Sequence, residues 1–216
     1  MTDQDQFLAR RLDPARTALL LIDFQNDFCA PGGFYDTVGN ELEMGQAAAR
    51  RAAAFAPAAR DAGVLVVLVR CVYDAPFVSD MMREWYDHKG FPLEYCRDGT
   101  WGAEFYEVER APGDIVVTKH RYSAFVDTEL QAVLRSNRIE NLLLAGVATN
   151  VCVESTARDA FMYDYRVTVL SDCTGTYSKE LYDATLENMR RAFGTVATSE
   201  EVMEVWASLP SPSPAR

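Results

Sequence analysis

Three side chains in this sequence could together carry out nucleophilic catalysis: the carboxylate of Asp23, the ammonium of Lys119 and the thiol of Cys152. Asp23 ends the apolar run TALLLID, and Lys119 ends the run GDIVVTK. Cys152 follows a third apolar run and a Gly-Val-Ala-Thr-Asn turn. A carboxylate can take the proton of a thiol and later activate water, while a nearby ammonium keeps both groups in their charged forms. The three residue types therefore predict a cysteine nucleophile for acyl transfer.

The residues around Cys152 predict where its thiol lies. The apolar residues 142–144 suit a buried strand, and helical spacing begins near Val151. A thiol at the first turn of that helix is close to exposed backbone N–H groups and to the helix dipole, which stabilise a thiolate. The N–H groups of Ala148 and Cys152 could also bind the oxyanion of an acyl-transfer intermediate. The alternative, an inert buried thiol, is the usual state of a free cysteine.

The other cysteines are weaker candidates for a nucleophile. Cys71 and Cys173 also end predicted strands, but no glycine-rich turn or helix start follows them immediately. We expect these two residues to be buried or to line the pocket. Cys29 lies in a loop close to Asp23, where it either lines the pocket or fills space.

Asp23 and Lys119 each have a second interpretation. Asp23 could cap a loop, and Lys119 could join His120 and Arg121 in a small phosphate-binding patch. A carboxylate at the end of a buried strand is costly unless it is paired. We therefore favour an ion pair between Asp23 and Lys119. His88 is the only other histidine of the chain, and a lone histidine is more often a packing residue than a ligand.

Strands that alternate with helices are predicted to position these residues. The alternation predicts an α/β fold, a three-layer α/β/α sandwich around a mostly parallel six-stranded sheet. Ligands bind beyond the carboxyl ends of the strands in such sheets, which is where Asp23, Lys119 and Cys152 stand. The predicted strands are residues 17–23, 64–72, 113–119, 141–145, 166–172 and 195–198, and the predicted helices are residues 41–62, 128–136, 151–163, 179–193 and 199–207. Pro57 is expected to kink or split the first helix.

Two segments between these elements are predicted to be largely irregular. Residues 24–35 contain Pro31-Gly32-Gly33 and are expected to form a loop. Residues 73–112 are long and mixed, with a short helix expected at 78–86 and an irregular part at 92–102. A stretch of this length in a compact domain usually covers a site or builds a subunit contact.

The composition predicts a cytoplasmic protein with one core. At 216 residues and 49% hydrophobic composition, the chain can form a single domain over residues 16–207, between a loose arm at 1–15 and a disordered tail at 208–216. The formal net charge of −11 argues against nucleic acid and anionic membranes as partners. No apolar run approaches the roughly 20 residues of a membrane span, and the N-terminal stretch lacks an apolar signal segment. Five cysteines without a C-x-x-C pair favour reduced cytoplasmic thiols over a disulfide frame.

Three segments resemble the signature regions of the isochorismatase-like cysteine hydrolases: LLIDFQNDF, VVTKHRYSAF and LAGVATNVCVESTARDAF. The resemblance extends in order from about residue 13 to residue 207 and so covers nearly the whole chain. It implies the fold of that family and a catalytic triad of Asp23, Lys119 and Cys152. It also implies a cis peptide bond between Val147 and Ala148, in the turn before the nucleophile.

Within the family, the segments PGGFYDTVG, GDIVVTKHRYSAF and ATNVCVEST are most similar to the ureidoacrylate amidohydrolases and to relatives that act on biuret- or triuret-like ureides. The resemblance implies a metal-independent hydrolase, without a cofactor, that cleaves a C–N bond of a small amide or ureide through a thioester. Tyr122 stands in the Arg-Tyr-Ser of these relatives and is expected to contact the substrate. Phe28, Trp101 and Phe125 are aromatic candidates for the pocket wall, with ordinary packing as the alternative.

A metal is not expected in this chain. Zinc-bearing relatives such as the nicotinamidases use an aspartate and two histidines in the region after the second strand. This chain has Cys71-Val72-Tyr73-Asp74 there, with no histidine nearby. RCVYDAP also stands where the ureide-cleaving relatives carry an Asn-containing motif, so the sequence leaves the exact substrate open.

Two other functions stay open at this stage. One is hydrolysis of a vinyl ether, as in isochorismatase itself, although the thiol favours amide chemistry. The other is a catalytically silent family member, against which the intact Asp23, Lys119 and Cys152 speak. The acidic surface, the long segment 73–112 and the habit of the family also predict a homodimer or homotetramer.

Overall fold

The protein, described here from a computed structural model, is built around one sheet of six parallel strands. The structure describes residues 7, 10–91 and 93–209. The strand order is β3-β2-β1-β4-β5-β6, and every pair of neighbouring strands is parallel. The strands are β1 (Thr17–Ile22), β2 (Leu65–Cys71), β3 (Ile115–Lys119), β4 (Asn141–Val147), β5 (Arg166–Gly175) and β6 (Gly194–Ala197). The predicted α/β sandwich is confirmed.

The two central strands form because their sequences are continuous apolar runs after the first residue, Thr17 in β1 and Asn141 in β4. Every residue of β1 and of β4 is buried. A parallel sheet is covered by helices on both faces, so its central strands need continuous apolar runs rather than an alternating pattern. This burial fixes β1 and β4 side by side in the middle of the molecule.

Helices cover both faces of the sheet and form two separate cores. On one face, the helix Glu43–Asp61 and the C-terminal helix Ser199–Ser208 pack together, with Phe55 stacked on Trp206 at a ring distance of 5.4 Å. The other face is covered by residues from the helices Leu130–Ser136, Glu154–Met162 and Lys179–Asn188. The remaining α-helices of the described residues are Asn26–Cys29, Phe34–Thr37 and Asp80–His88.

In one helix and in one loop, the structure differs from what the sequence predicts. Pro57 does not split its helix, because Glu43–Asp61 is continuous and its alanine-rich face is buried against the sheet on both sides of Pro57. The predicted loop at 24–35 contains the two short helices Asn26–Cys29 and Phe34–Thr37. The Asp27 side chain accepts the N–H of Phe34 at 3.1 Å, a contact across the Pro-Gly-Gly turn that composition does not reveal.

Other predicted elements exist but have different ends. The predicted helix at 151–163 is a π-helical turn, Thr149–Val153, followed by the α-helix Glu154–Met162. The predicted helix at 179–193 likewise ends at Asn188 and continues as the π-helical turn Met189–Phe193. Strand β5 runs three residues beyond its predicted end at 172, to Gly175, alongside the end of β4.

In the described part of the predicted N-terminal arm, one residue is packed against the core. Leu12 is buried in the core, and its carbonyl accepts a hydrogen bond from the Trp206 indole at 2.8 Å. Residues 1–6, 8 and 9 of that arm lie outside the described residues, as do residues 210–216 of the predicted tail. Within the described part of the chain, no helix combines the length and the apolar composition needed to cross a membrane.

Candidate active site

The side chains of Asp23, Lys119 and Cys152 meet beyond the carboxyl ends of the strands. The Lys119 Nζ atom lies 2.7 Å from Asp23 Oδ2 and 3.5 Å from Cys152 Sγ. It also donates a hydrogen bond to the carbonyl of Arg121 at 2.9 Å. An ammonium has three N–H donors. Lys119 thus makes an ion pair with the acid and donates hydrogen bonds to the sulfur and to the backbone, and these three contacts fix its position.

The topology of the sheet explains this meeting of residues that are far apart in sequence. Chain order runs outward from β1 in both directions, so the crevice beyond β1 and β4 is the switch point where ligands bind in α/β proteins. Asp23 directly follows β1. Lys119 ends β3, two strands away, and its neighbour across the β2–β3 pair is Cys71. Its long side chain therefore reaches past the end of β2 to the carboxylate.

Asp23 adopts a backbone conformation that aims its side chain into the site. Its φ angle is 55°, in the left-handed region that non-glycine residues seldom adopt. The Asp23 N–H donates to the Val69 carbonyl at 2.9 Å, and the Asp23 carbonyl accepts from the Gln25 N–H at 2.7 Å. The chain therefore leaves β1 abruptly, with the carboxylate at the end of the strand.

The turn between β4 and its helix places the thiol. Gly146 has a φ of 147°, and a Cβ there would lie 2.3 Å from the Ile22 carbonyl oxygen, so only glycine fits. The peptide bond between Val147 and Ala148 is cis, at the position that the family resemblance implies. The Ala148 carbonyl accepts from Val151 N–H at 3.1 Å, while its own N–H has no acceptor among the described residues. That N–H is available to a ligand beside Cys152.

Burial and the neighbouring charges together shift the pKa values of the three groups. Burial raises the pKa of Asp23, against the opposing effects of the Lys119 charge and of hydrogen bonds from Lys119 and Cys152. Burial alone would lower the pKa of Lys119, but the negative partners, Asp23 first, raise it. Burial raises the pKa of the Cys152 thiol well above its usual value, with Lys119 opposing. The burial of the thiol thus opposes the thiolate that the helix-start argument favours.

A cavity of about 390 Å³ opens above Cys152. Cys152 is the one member of the three that lines it, whereas Asp23 and Lys119 are fully buried behind the sulfur. The wall is mostly aromatic, with amide and hydroxyl groups between the rings. Its aromatic members are Phe28, Tyr35, Tyr73, Trp85, Tyr86, Phe91, Tyr95, Tyr122 and Tyr177, and its polar members include Asn40, Lys89, Asn150, Thr176 and Ser178.

The long segment 73–112 forms one side of this cavity. It supplies six of the lining residues, from Tyr73 to Tyr95. Rings from the loop after β1 pack against it: Phe34 is stacked on Tyr95 with ring centres 4.5 Å apart. The segment therefore covers the site, one of the two roles expected for it.

The structure brings two of the four tentative substrate contacts to the cavity. Phe28 and Tyr122 line it. Trp101 does not: its side chain is 51% exposed, and its carbonyl accepts a hydrogen bond from Asn26 at 2.8 Å. Phe125 does not either, because it packs in the core on the helix side, against Tyr163 and Tyr165. The aromatic residue type alone does not distinguish a residue of the cavity wall from one that packs elsewhere.

Polar residues directly after Asp23 have a structural role that the sequence interpretation missed. The Gln25 amide accepts the N–H of Cys71 at 2.7 Å and donates to the carbonyls of Cys71 and Ala103 at 2.9 and 3.0 Å. Asp27 accepts the N–H of Cys96 at 2.6 Å. These bonds attach the segment 73–112 to the loop that carries Asp23. The sequence feature that could have indicated this structural role is the polar run Gln-Asn-Asp in an otherwise buried stretch.

The remaining thiols and cations do not join the site. Cys71 is fully buried outside the cavity wall, and its burial raises its pKa to about 12. His120 Nδ1 lies 2.7 Å from the Val72 carbonyl, and Arg121 donates to the Phe77 carbonyl at 2.9 Å. With Lys119 turned towards Asp23, the three side chains do not converge as a phosphate-binding patch would require. Among the described residues, no three His, Cys, Asp or Glu side chains are grouped as metal ligands.

Helices cover both faces of the parallel sheet, and the cavity lies at the switch point of the sheet. These two features define an α/β enzyme whose ligand contacts side chains at the ends of several strands. A family model for the isochorismatase domain matches residues 17–201. The chain belongs to the isochorismatase family, which confirms the resemblance and makes it a hydrolase.

Three relatives show how closely the chain follows this family. It is 33% identical over 210 residues to ureidoacrylate amidohydrolase RutB of Variovorax paradoxus (strain S110), covering 91% of this chain and 83% of the relative. It is 36% identical over 203 residues to ureidoacrylate amidohydrolase RutB of Agrobacterium fabrum (strain C58 / ATCC 33970), covering 87% and 88%. The crystal structure of a cysteine hydrolase from Pseudomonas syringae pv. phaseolicola 1448A aligns with a TM-score of 0.81, at 26% identity, over 92% of this chain and 95% of that chain.

Proposed function

We propose that this protein is a metal-independent amidohydrolase that cleaves a C–N bond of a small amide or ureide through a thioester on Cys152. One observation carries the proposal: Cys152 Sγ lines the cavity with Lys119 Nζ 3.5 Å away, and Lys119 Nζ is 2.7 Å from Asp23 Oδ2. The two relatives named ureidoacrylate amidohydrolase support the amide chemistry and the ureide class.

Acylation begins from the neutral thiol. The Asp23 carboxylate takes the thiol proton as the sulfur attacks the carbonyl carbon, so the S–C bond forms while the proton moves to Asp23. The raised pKa of Asp23 makes this carboxylate a stronger base than an exposed one. The carbonyl oxygen becomes an oxyanion, which the N–H groups of Ala148 and Cys152 stabilise. The C–N bond then breaks, and the leaving nitrogen takes the proton from Asp23.

Deacylation uses the same groups in reverse. The Asp23 carboxylate removes a proton from water as the water oxygen attacks the thioester carbon. The C–S bond breaks, the acid product leaves, and the sulfur regains a proton from Asp23. Lys119 stays protonated throughout and balances the negative charge as it moves between Asp23 and the sulfur. Asp23, Lys119 and Cys152 therefore return to their starting protonation states.

Ammonia release from a panel of substrates tests the proposal. The panel contains ureides, carbamoyl amino acids and simple amides, with isochorismate as the vinyl-ether comparison. Cys152→Ala should abolish turnover, a loss of at least about a thousandfold, because the nucleophile is gone. Cys173→Ala is the matched control, since Cys173 is also a buried thiol but does not line the cavity. Near-wild-type turnover by Cys152→Ala would rule the mechanism out.

A further inference from the structure

A buried threonine connects the two parts of the chain that carry Lys119 and Cys152. The Thr156 hydroxyl donates a hydrogen bond to the Cys152 carbonyl at 2.7 Å and accepts the N–H of Ala124 at 3.0 Å. We infer that Thr156 is a positioning residue, which holds the Lys119 ammonium within reach of the Cys152 sulfur. This inference rests on the proposed function, because it concerns how the nucleophile and its neighbouring cation are held together.

The two bonds of this hydroxyl use both of its hydrogen-bonding roles. A threonine hydroxyl has one proton to donate and lone pairs that accept. Here the proton goes to the Cys152 carbonyl, and a lone pair accepts the Ala124 N–H. Thr156 and Ala124 are fully buried, so water does not replace these bonds. The hydroxyl therefore links two stretches of backbone, and Ala124 and Thr156 are 32 residues apart in sequence.

The first of these stretches, the chain that follows β3, holds the ammonium. Lys119 ends β3, and its Nζ atom donates to the carbonyl of Arg121, at 2.9 Å, in the chain that leads to Ala124. The Thr128 hydroxyl donates to the Ala124 carbonyl at 2.5 Å, so Ala124 is bonded at both its carbonyl and its N–H. Because Arg121 and Ala124 are close in sequence, a shift of Ala124 displaces the Arg121 carbonyl and with it the ammonium.

The second stretch, the start of the helix Glu154–Met162, holds the sulfur. Cys152 lies in the π-helical turn Thr149–Val153, and Thr156 stands in the helix that follows this turn. A threonine hydroxyl often bonds the carbonyl four residues earlier, and by itself such a bond is only local. The bond to Ala124 is long-range, and it joins the nucleophile turn to the chain after Lys119.

The contact between Lys119 and Cys152 depends on a small separation. The Lys119 charge lowers the pKa of the Cys152 thiol, against the larger effect of burial, and its Nζ atom lies 3.5 Å from the sulfur. A Coulomb interaction weakens as two groups move apart, and the change is largest where water is excluded. Asp23 holds the ammonium from another direction, at 2.7 Å. Without the Thr156 link, the ammonium can stay with Asp23 and withdraw from the sulfur.

Thr156→Val tests the link, because valine keeps the shape of the side chain and removes the hydroxyl. The rate of Cys152 alkylation by iodoacetamide at pH 9 should fall about fivefold, because a weaker Lys119 contact raises the pKa of the thiol. The kcat for the best amide or ureide of the panel should fall about tenfold, because the reacting groups are misplaced. Thr156→Ser keeps the hydroxyl, and both of its rates should stay within about twofold of wild type.

Thr168→Val is the matched control. Thr168 is also a buried threonine, with its hydroxyl 2.7 Å from that of Thr195, but it lies outside the cavity wall. Both of its rates should equal those of the wild type. Circular dichroism and urea unfolding establish that each variant is folded before rates are compared. A valine variant that does not fold is replaced by Thr156→Ala, whose smaller side chain leaves room for water to bond the Ala124 N–H.

Three results would overturn the role of Thr156: an unchanged alkylation rate in the folded variant that lacks the hydroxyl, a serine variant as slow as that one, or an equal loss in Thr168→Val. Alkylation does not require turnover, so this outcome is separate from that of the proposed function. Slower alkylation of Thr156→Val, with no amide or ureide hydrolysed by the wild type, would refute the function alone. Hydrolysis through Cys152 with equal alkylation of both proteins would refute the positioning role alone.

Discussion

At the scale of single residues, the proton on Cys152 decides how the reaction starts. Lys119 donates a hydrogen bond to the sulfur, but its charge is matched by the Asp23 carboxylate at 2.7 Å, and the thiol is buried. In the mechanism that we propose, the thiol therefore keeps its proton until a substrate carbonyl arrives, and Asp23 is the base. This arrangement differs from a thiolate held ready by a helix N-terminus.

The pH dependence of alkylation distinguishes these two arrangements. Because burial raises the pKa of Cys152 well above 9.0, we expect its reaction rate with iodoacetamide in the free enzyme to keep rising with pH beyond pH 9. Peptide mass mapping should place the first label on Cys152, since the other cysteines are buried outside the cavity wall. The rate is measured under pseudo-first-order conditions from pH 6 to pH 10.

A plateau of that rate below about pH 7 would contradict the neutral-thiol state, because it would mean a thiolate of low pKa. Cys152→Ala is the control, and it should lose the fast-labelled peptide. A first label on Cys71 or Cys173 would contradict the placement of the sulfur at the cavity.

At the scale of elements, one short loop holds the site together. The side chains of Gln25 and Asp27 accept backbone N–H groups in place of backbone carbonyls. These bonds attach the loop after β1 to Cys71, Cys96 and Phe34. These bonds help to hold the cavity wall formed by segment 73–112, since the described part of this segment contributes no strand to the sheet.

Asp27→Asn tests this dependence. The carboxylate accepts the N–H of Cys96 with one oxygen and the N–H of Phe34 with the other. The asparagine amide has nearly the same shape as the carboxylate, but an NH2 group, which is a donor, replaces one oxygen. One of the two backbone N–H groups therefore loses its acceptor. We expect the free energy of unfolding to fall by about 1–3 kcal/mol and KM to rise, measured by urea denaturation and by steady-state assays.

Asp36→Asn is the matched control for that substitution. Asp36 also accepts a backbone N–H, that of Gly32 at 2.7 Å, but in an exposed turn where water can replace the bond. Its effect on unfolding should stay within about 0.5 kcal/mol. Equal effects of the two substitutions would show that Asp27 does not anchor the wall.

At the scale of the whole molecule, the sequence predicts the sheet and the reacting groups better than the pocket. Asp23, Lys119 and Cys152 stand at the ends of apolar runs, and a parallel sheet brings such ends to one edge. The ring of tyrosines was missed because Tyr73, Tyr86 and Tyr95 lie in a segment without periodicity. Their positions depend on distant side chains such as Gln25 and Asp27.

The same limit explains the errors on Trp101 and Phe125. Trp101 lies in the irregular segment and is half exposed beside Asn26. Phe125 stands close in sequence to Lys119 and is buried in the same core cluster as Cys152, but it does not line the cavity. Proximity in sequence to a catalytic residue does not determine the direction of a side chain.

Mass spectrometry of the quenched reaction tests the central claim most directly. Wild-type protein is mixed with the best ureide or amide of the panel, quenched in acid at intervals during the first turnover and digested. The account predicts that the peptide containing Cys152 gains the mass of the acyl fragment and loses it again at the rate of turnover. Product formation during that first turnover with no adduct on Cys152, or with the adduct on another residue, would contradict it.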